Sequence, residues 1–173
     1  MPAQQEAEKT AWVELLEQRL PLYGHRNWIV VADSAYPAQS RQGIETVYTG
    51  AGQLEVVDAV VHVATTFRHV KPSVMTDEEL DFVEEKDAPG ISEYRLRLAA
   101  LLQPEYQRRV LPHEQIIAKL DSAAAMFKVL VLKTTLAIPY TSVFFELDCM
   151  YWNADAESRL RQTLSSRKRQ AKP

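Results

Sequence analysis

The hydrophobic residues follow two different spacings along the chain. Apolar residues recur at helical spacing over residues 10–20 and 53–68, which predicts two amphipathic helices. The apolar run at 28–31 and the largely apolar segments 127–133 and 140–147 are short and rich in aliphatic or aromatic residues, as expected of strands buried on both faces. Strands that are separated by helices predict an α/β layered fold.

Weaker signals fill the rest of the chain. Residues 44–49 and 70–75 predict two more strands, the second with Pro72 at an edge position. Thr76, Asp77, Glu78 and Glu79 have the form of a capping box, which predicts an acidic helix to about residue 86. Helices are also predicted over 92–102 and 113–125, so that a helix-rich middle, about 76–125, interrupts the alternation of strands and helices.

Composition narrows the class of protein. The chain has 173 residues, 46% of them hydrophobic, and a net charge of −3, which is typical of one globular domain over residues 1–173. A negative charge argues against nucleic-acid binding, and the apolar runs are too short to span a membrane. The N-terminus lacks the features of a signal peptide, so we expect a cytoplasmic protein. The polar, basic tail at about 154–173 is expected to be frayed at its end, 167–173.

The usual catalytic and cofactor motifs are incomplete. Gly50 and Gly52 resemble the start of a dinucleotide-binding loop, but Glu55 occupies the position of its third glycine. His113 begins a sequence similar to a zinc protease motif, but Ile117 occupies the position of the second metal ligand. With no serine elbow, phosphate loop or cysteine cluster, the residues leave a cofactor-free acid/base site as the remaining kind of chemistry.

His25 and Asp33 are the leading candidates for such a site. His25 precedes the strand at 28–31 and titrates near neutral pH, whereas Asp33 follows that strand, where α/β folds commonly bind ligands. Each has a simpler interpretation: His25 as a loop histidine bonded to backbone, and Asp33 as the cap of the next turn.

Three segments together resemble the RbsD/FucU family of D-ribose pyranases and L-fucose mutarotases. They are Gly24-His25 with Asp33-Ser34-Ala35-Tyr36-Pro37, then Gly50-Ala51-Gly52-Gln53-Leu54, and finally Pro139-Tyr140-Thr141-Ser142. They occur in the family's order and cover about a third of the chain. The resemblance implies a three-layer α/β/α fold with a central sheet and helices on both faces. It also implies a homo-oligomer, commonly a decamer, with a monosaccharide such as ribose or fucose as substrate.

The resemblance also assigns roles to residues. It implies that His25 transfers the proton, that Asp33 binds the sugar, and that Tyr140 forms a wall of the pocket. Ser142 stands where the family has Asn, His113 matches a family histidine that binds substrate, and Lys119 takes the place of a family lysine. No cofactor or metal is implied, because interconversion of sugar ring forms moves protons only between oxygens.

Two alternatives remain open at this point. A sugar-binding or regulatory module without turnover is favoured by Ser142 and by Leu136, which replaces a family glutamate. A cofactor-free epimerase that removes a carbon-bound proton would need His25 and His113 on opposite sides of its substrate. The spacing adds a geometric expectation: at about 3.3 Å per residue, His25 and Asp33 lie more than about 20 Å apart on a straight strand. A site that contains both therefore requires either a chain that bends sharply near Arg26 or folds back, or contributions from two subunits.

Overall fold

The computed structural model describes residues 2–102, 106 and 108–170. Its strands are β1 (Trp28–Ala32), β2 (Ile44–Tyr48), β3 (Val70–Asp77), β4 (Arg109–Leu111), β5 (Val129–Lys133) and β6 (Val143–Cys149). Its α-helices are α1 (Pro2–Arg19), α2 (Gln53–Thr66), α3 (Ile91–Leu101), α4 (His113–Ala124) and α5 (Ala154–Gln170). Two short 3₁₀ helices, Leu20–Leu22 and Glu78–Phe82, follow α1 and β3.

The strands form one six-stranded sheet in the order β2-β5-β1-β6-β3-β4. β1 is parallel to β5, β5 to β2, and β3 to β4, whereas β6 is antiparallel to both of its neighbours, β1 and β3. The first five strands therefore point the same way, and their carboxyl ends share one edge of the sheet with the start of β6. We call this the carboxyl edge and the opposite one the amino edge.

Helices cover both faces of the sheet. Ile29 and Val31 of β1 point to a core that contains side chains of α1, α2 and α3, whereas Trp28 and Val30 point to a second core beneath α4. This alternation explains why β1 is apolar throughout, since each of its side chains is buried on one face or the other. The predicted three-layer α/β/α fold is confirmed.

The structure corrects the prediction that a helix begins at Thr76. Thr76 and Asp77 are the last residues of β3, and a single 3₁₀ helix follows them. The side chain of Asp77 makes no capping hydrogen bond, so the capping-box interpretation is wrong. Pro72, in contrast, is confirmed at a local edge: it pairs with β6 on one side, and β4 begins to pair with β3 only at Met75.

Two further differences concern elements that carry little apolar signal. β4 has only three residues and partly exposed side chains, and no pattern in the sequence predicted it. It belongs to the middle region, 76–125, and extends the central sheet beside β3. The tail is helical up to Gln170 in α5, a helix without buried residues, so the prediction of a frayed end is wrong for 167–170. The rest of that prediction, 171–173, lies outside the described residues.

Candidate active site

Polar side chains from four chain segments meet at the carboxyl edge. Asp33 follows β1, Asp77 ends β3, and His113 follows β4, while Tyr140 precedes β6. The parallel strands β1, β3 and β4 deliver their carboxyl ends to this edge, and antiparallel β6 starts there. Residues that are up to about a hundred positions apart in sequence thus become neighbours at the place where α/β folds bind ligands.

These segments enclose a cavity of about 390 Å³, which we call the carboxyl-edge cavity. Its polar lining consists of Asp33, Ser34, Tyr36, Asp77, His113 and Tyr140, and its apolar lining includes Pro37, Ile138 and Pro139. The volume lies within the range of small-molecule sites. Two carboxyl groups, one imidazole and two phenols suit a ligand rich in hydroxyl groups.

Asp33 is held in place by Ser142 and by its own turn. The backbone N–H of Asp33 donates to Ser142 Oγ over 3.3 Å, and that hydroxyl lies 3.1 Å from Asp33 Oδ2, to which it donates. Ala35 N–H donates to Asp33 Oδ1 over 2.9 Å, so Asp33 also caps the turn that follows β1. Ser142 is buried and does not line the cavity. In one chain it therefore orients Asp33 rather than facing a ligand.

His113 and Asp77 form the closest pair of titratable groups in the cavity. His113 Nδ1 lies 3.0 Å from Asp77 Oδ2, and the Asp77 side chain is only 1% exposed. Burial raises the pKa of Asp77 to about 6, while the neighbouring His113 acts in the opposite direction. The backbone N–H of His113 donates to the carboxylate of Glu79 over 3.0 Å, which fixes the start of α4 next to β3.

Two tyrosines complete the lining. Tyr140 packs edge-on against His113, with 5.7 Å between ring centroids, and 40% of the residue is exposed. Its backbone has φ +58°, a left-handed conformation that is uncommon for a bulky residue and that clusters at functional sites. Tyr36 is buried, and burial raises the pKa of its phenol to about 12. The Tyr36 hydroxyl is therefore neutral near pH 7.

A buried glutamine holds this edge of the sheet together. Gln53, at the start of α2, donates from Nε2 to the carbonyl oxygens of Val31 and Thr141 over 3.0 and 2.7 Å. Its Oε1 accepts from Thr134 Oγ1 over 2.6 Å. Gln53 thus links the ends of β1 and β5 to the segment before β6. No pattern in the sequence predicts this role.

The other two predicted residues lie at the amino edge. His25 and Lys119 line a separate cavity of about 620 Å³, the amino-edge cavity, together with Arg26, Trp28, Met126 and Glu146 among others. His25 is half-exposed, and its Nδ1 lies 2.9 Å from Asp148 Oδ1 at the end of β6. The two cavities share no lining residue.

The six predicted site residues therefore separate into two groups within one chain. Asp33, His113 and Tyr140 line the carboxyl-edge cavity, with Ser142 directly behind Asp33. His25 and Lys119 lie at the opposite end of β1. The turn at Arg26, with φ +75°, does not bring His25 to Asp33. The assignment of these six residues to catalysis and substrate binding stays a prediction.

Asp77 is the site residue that the sequence prediction missed. The sequence pattern places it in a capping box at a helix start, because acidic residues follow it. A weaker signal was nevertheless present: Asp77 lies two residues after the strand predicted at 70–75, as Asp33 lies two residues after the strand predicted at 28–31. Among the described residues, no group of three or more histidine, cysteine or acidic side chains is arranged to hold a metal ion.

Comparison with solved structures identifies the fold. RbsD of Bacillus subtilis, solved with D-ribose, superposes with a TM-score of 0.54 at 18% identity, over 77% of this chain and 90% of that one. The fucose mutarotase of Streptococcus pneumoniae, solved with L-fucose, gives 0.50 at 18% identity, over 76% and 89%. FucU of Bifidobacterium longum gives 0.52 at 18% identity, over 78% and 92%.

The chain has the RbsD/FucU fold. This agrees with the resemblance of the segments around Asp33, Gly52 and Tyr140. No protein-family model matches the sequence, and no curated protein matches it. At 18% identity the RbsD/FucU likeness establishes architecture. In the described part of the chain, none of the helices has the length and apolar character needed to cross a membrane.

Proposed function

We propose that this protein interconverts the ring or anomeric forms of a monosaccharide by general acid/base catalysis. The observation that carries the proposal is the carboxyl-edge cavity, where Asp33, His113 and Tyr140 converge from three distant segments. The fold adds support, since two proteins that share it were solved with D-ribose and L-fucose. A ribose- or fucose-like sugar is therefore the substrate class that we propose.

The reaction needs only proton transfers between oxygens. A base removes the proton from the anomeric hydroxyl, the bond between the anomeric carbon and the ring oxygen breaks, and an acid delivers a proton to that ring oxygen. The free carbonyl then recloses onto its other face or through another hydroxyl, and the proton transfers reverse. General acid/base catalysis contributes typically about 10²–10⁴-fold to such a step.

In this proposal His25 is the proton-transfer residue and comes from a second copy of the chain. Its ring and Asp33 lie at opposite edges of the sheet, so one chain cannot place both against one sugar. The amino-edge cavity carries Arg26 and Lys119 with one carboxylate, Glu146, whereas the carboxyl-edge cavity contains Asp33 and Asp77. This difference in charge favours contact between the amino edge of one copy and the carboxyl edge of the next.

Such a contact uses two different surfaces, so it is repeated from copy to copy, and it forms a ring where the rotation between copies closes. The proposal therefore includes a homo-oligomer, with a decamer as the expected size. Asp33 and Tyr140 bind sugar hydroxyls, Lys119 adds a donor from the second copy, and Ser142 supports Asp33. A cytoplasmic site of action stays a prediction from the sequence.

NMR exchange spectroscopy on ribose, fucose and related sugars tests the proposal. We expect wild type to accelerate exchange between anomers or ring forms, and His25→Ala to lose that acceleration by about 10²-fold or more. Leu22→Ala is the matched control, because Leu22 is exposed and lies outside both cavities. Exchange that is unaffected by His25→Ala would exclude His25 as the catalytic residue.

The same samples distinguish the two alternatives. Saturable sugar binding without faster exchange identifies a binding module. The Ser142 hydroxyl favours this outcome because it already donates its hydrogen bond to Asp33. Incorporation of deuterium from solvent at a carbon position identifies an epimerase that removes a carbon-bound proton. Neither result is expected for a mutarotase, since its protons move only on oxygen.

A further inference from the structure

Buried polar atoms without a hydrogen-bond partner are uncommon in proteins, and four of them belong to residues that line the carboxyl-edge cavity. They are the Tyr36 hydroxyl, both carboxyl oxygens of Asp77 and Nδ1 of His113, none of which has an aligned hydrogen bond to any described group. Nδ1 of His113 lies 3.0 Å from Oδ2 of Asp77. Such a group in a native structure usually has a functional reason.

We propose that Asp77 is a positioning residue that holds the proton of His113 on Nδ1 and thereby leaves Nε2 as a proton acceptor facing the sugar. Nδ1 is buried against Asp77, whereas 30% of the His113 side chain is exposed. Nε2 is therefore the ring nitrogen that remains for a ligand. A carboxylate beside one imidazole nitrogen selects the tautomer and so determines the role of the other.

The surroundings of Asp77 explain why the carboxyl group interacts with His113. The side chain is nearly inaccessible to water, and the ionisable groups that act on it electrostatically come from every neighbouring segment. They are His113 of α4, Glu79 of the 3₁₀ helix, Asp33 and Tyr36 after β1, and Tyr94 of α3. Of these, only His113 can provide a positive charge, and its Nδ1 lies within hydrogen-bonding distance of Oδ2. Among these groups Asp77 therefore has one cationic partner.

This arrangement adds a second proton-accepting ring to the proposed reaction. His113 is fixed by its own chain, whereas His25 arrives from the neighbouring copy. With Asp77 ionised, Nε2 of His113 accepts a proton from a sugar hydroxyl, and Asp77 stabilises the resulting imidazolium. With Asp77 protonated, that stabilisation is lost. The inference rests on the proposed function for its consequence, but the tautomer itself is measurable without any reaction.

The experiment uses ¹⁵N-histidine-labelled protein and reads the His113 tautomer from its ring nitrogen shifts. At pH 7.5 we expect the Nδ1–H form in wild type. Asp77→Asn presents an amide that can donate to Nδ1, so we expect a shift toward the Nε2–H form. Asp81→Asn, an exposed aspartate of the adjacent 3₁₀ helix, is the matched control and leaves the tautomer unchanged. His113→Gln assigns the signals.

A wild-type His113 that is mainly Nε2–H, or a tautomer that Asp77→Asn leaves unchanged, overturns the inference. Because the wild-type tautomer is read without Asp77→Asn, the test stands even if that variant does not fold. When wild type accelerates sugar exchange, Asp77→Asn is expected to reduce the rate about 10²-fold, with sugar affinity changed less than about threefold. It should also remove a rise in rate through about pH 6; retention of that rise overturns the inference. Absence of exchange in wild type, together with the Nδ1–H tautomer, overturns the proposed function alone.

Discussion

His25 and Asp33 lie at opposite ends of strand β1, in two cavities that share no lining residue. The strand between them is extended and fully buried, so no rearrangement of side chains brings the two groups together. Any site that uses both must be assembled from two copies of the chain. Whether His25 and Asp33 act in one site therefore depends on how copies of the chain assemble, and subunit mixing can test this.

Mixing of two inactive variants tests the shared site. His25→Ala and Asp33→Asn each lose activity, but a mixed oligomer contains some contacts in which His25 of one variant faces Asp33 of the other. Equal mixing with subunit exchange should restore roughly a quarter of the wild-type exchange rate, since each half of a site is intact in half of the copies. The double variant His25→Ala/Asp33→Asn mixed with itself is the control. No recovery after verified exchange contradicts the shared site.

Asp77 gives the protein a specific dependence of stability on pH. Burial raises its folded-state pKa to about 6 from an ordinary value of 3.8, so the neutral form is favoured by folding. The resulting stabilisation is present below about pH 4 and is lost as the pH rises through 6. At pH 7 Asp77→Asn removes a penalty of up to about 3 kcal/mol, reduced by the lost contact with His113.

Urea unfolding of wild type and Asp77→Asn between pH 4 and pH 7 measures this effect. The free energy of unfolding of wild type should fall relative to that of Asp77→Asn as the pH increases across this range. Asp81→Asn changes a half-exposed carboxylate of the same segment and should retain the wild-type profile. Parallel profiles for wild type and Asp77→Asn would mean that Asp77 titrates as it does in the unfolded chain.

Gln53 is predicted to be a stability residue whose loss also loosens the site. Gln53→Met keeps most of the side-chain volume but removes three hydrogen bonds at the ends of β1, β5 and the segment before β6. We expect a loss of about 2 kcal/mol in the free energy of unfolding, because two buried carbonyl oxygens and one hydroxyl each lose a hydrogen bond. Gln115→Met, on the exposed surface of α4, should change stability by less than about 0.5 kcal/mol. Equal effects of the two variants would contradict a structural role for Gln53.

The Tyr140 hydroxyl is predicted to bind the sugar without supporting the fold. Tyr140→Phe retains the edge contact with His113 and removes only the hydroxyl. Sugar affinity should fall about fivefold, the equivalent of about 1 kcal/mol for one hydrogen bond, while the free energy of unfolding stays constant. NMR titration measures the affinity, and Tyr151→Phe, at an exposed tyrosine outside both cavities, is the control. An unchanged affinity in Tyr140→Phe would remove the hydroxyl from the binding site.

The helices and strands with long apolar patterns were predicted correctly from the sequence. β1, β5, α2 and α4 were predicted within a few residues of their observed ends, because a buried strand or an amphipathic helix needs a continuous apolar signal. β4 has no such signal, since its side chains are largely exposed and it joins the sheet by pairing with β3. Short edge strands of this kind depend on a neighbour that the local sequence does not reveal.

The site was predictable only in part for a similar reason. Asp33 and Tyr140 carried motifs that could be compared with a known family, and both line the cavity. Asp77 also lies two residues after a predicted strand, but that strand carries a weaker apolar signal, and the acidic residues after Asp77 favoured a helix start. The buried position of Asp77 depends on α4 and on the segment after β1, which cover it from other parts of the chain.

The layered α/β architecture was predictable from the amino-acid sequence, because the period of the apolar residues specifies which faces must be buried. A titratable residue at each end of β1 was also evident from the sequence. Which titratable residues lie close together depends on the tertiary structure. The direction of six strands in one sheet brought Asp33, Asp77, His113 and Tyr140 to one edge and left His25 at the other. Strand direction depends on pairing between segments far apart in the chain, and no local pattern encodes it.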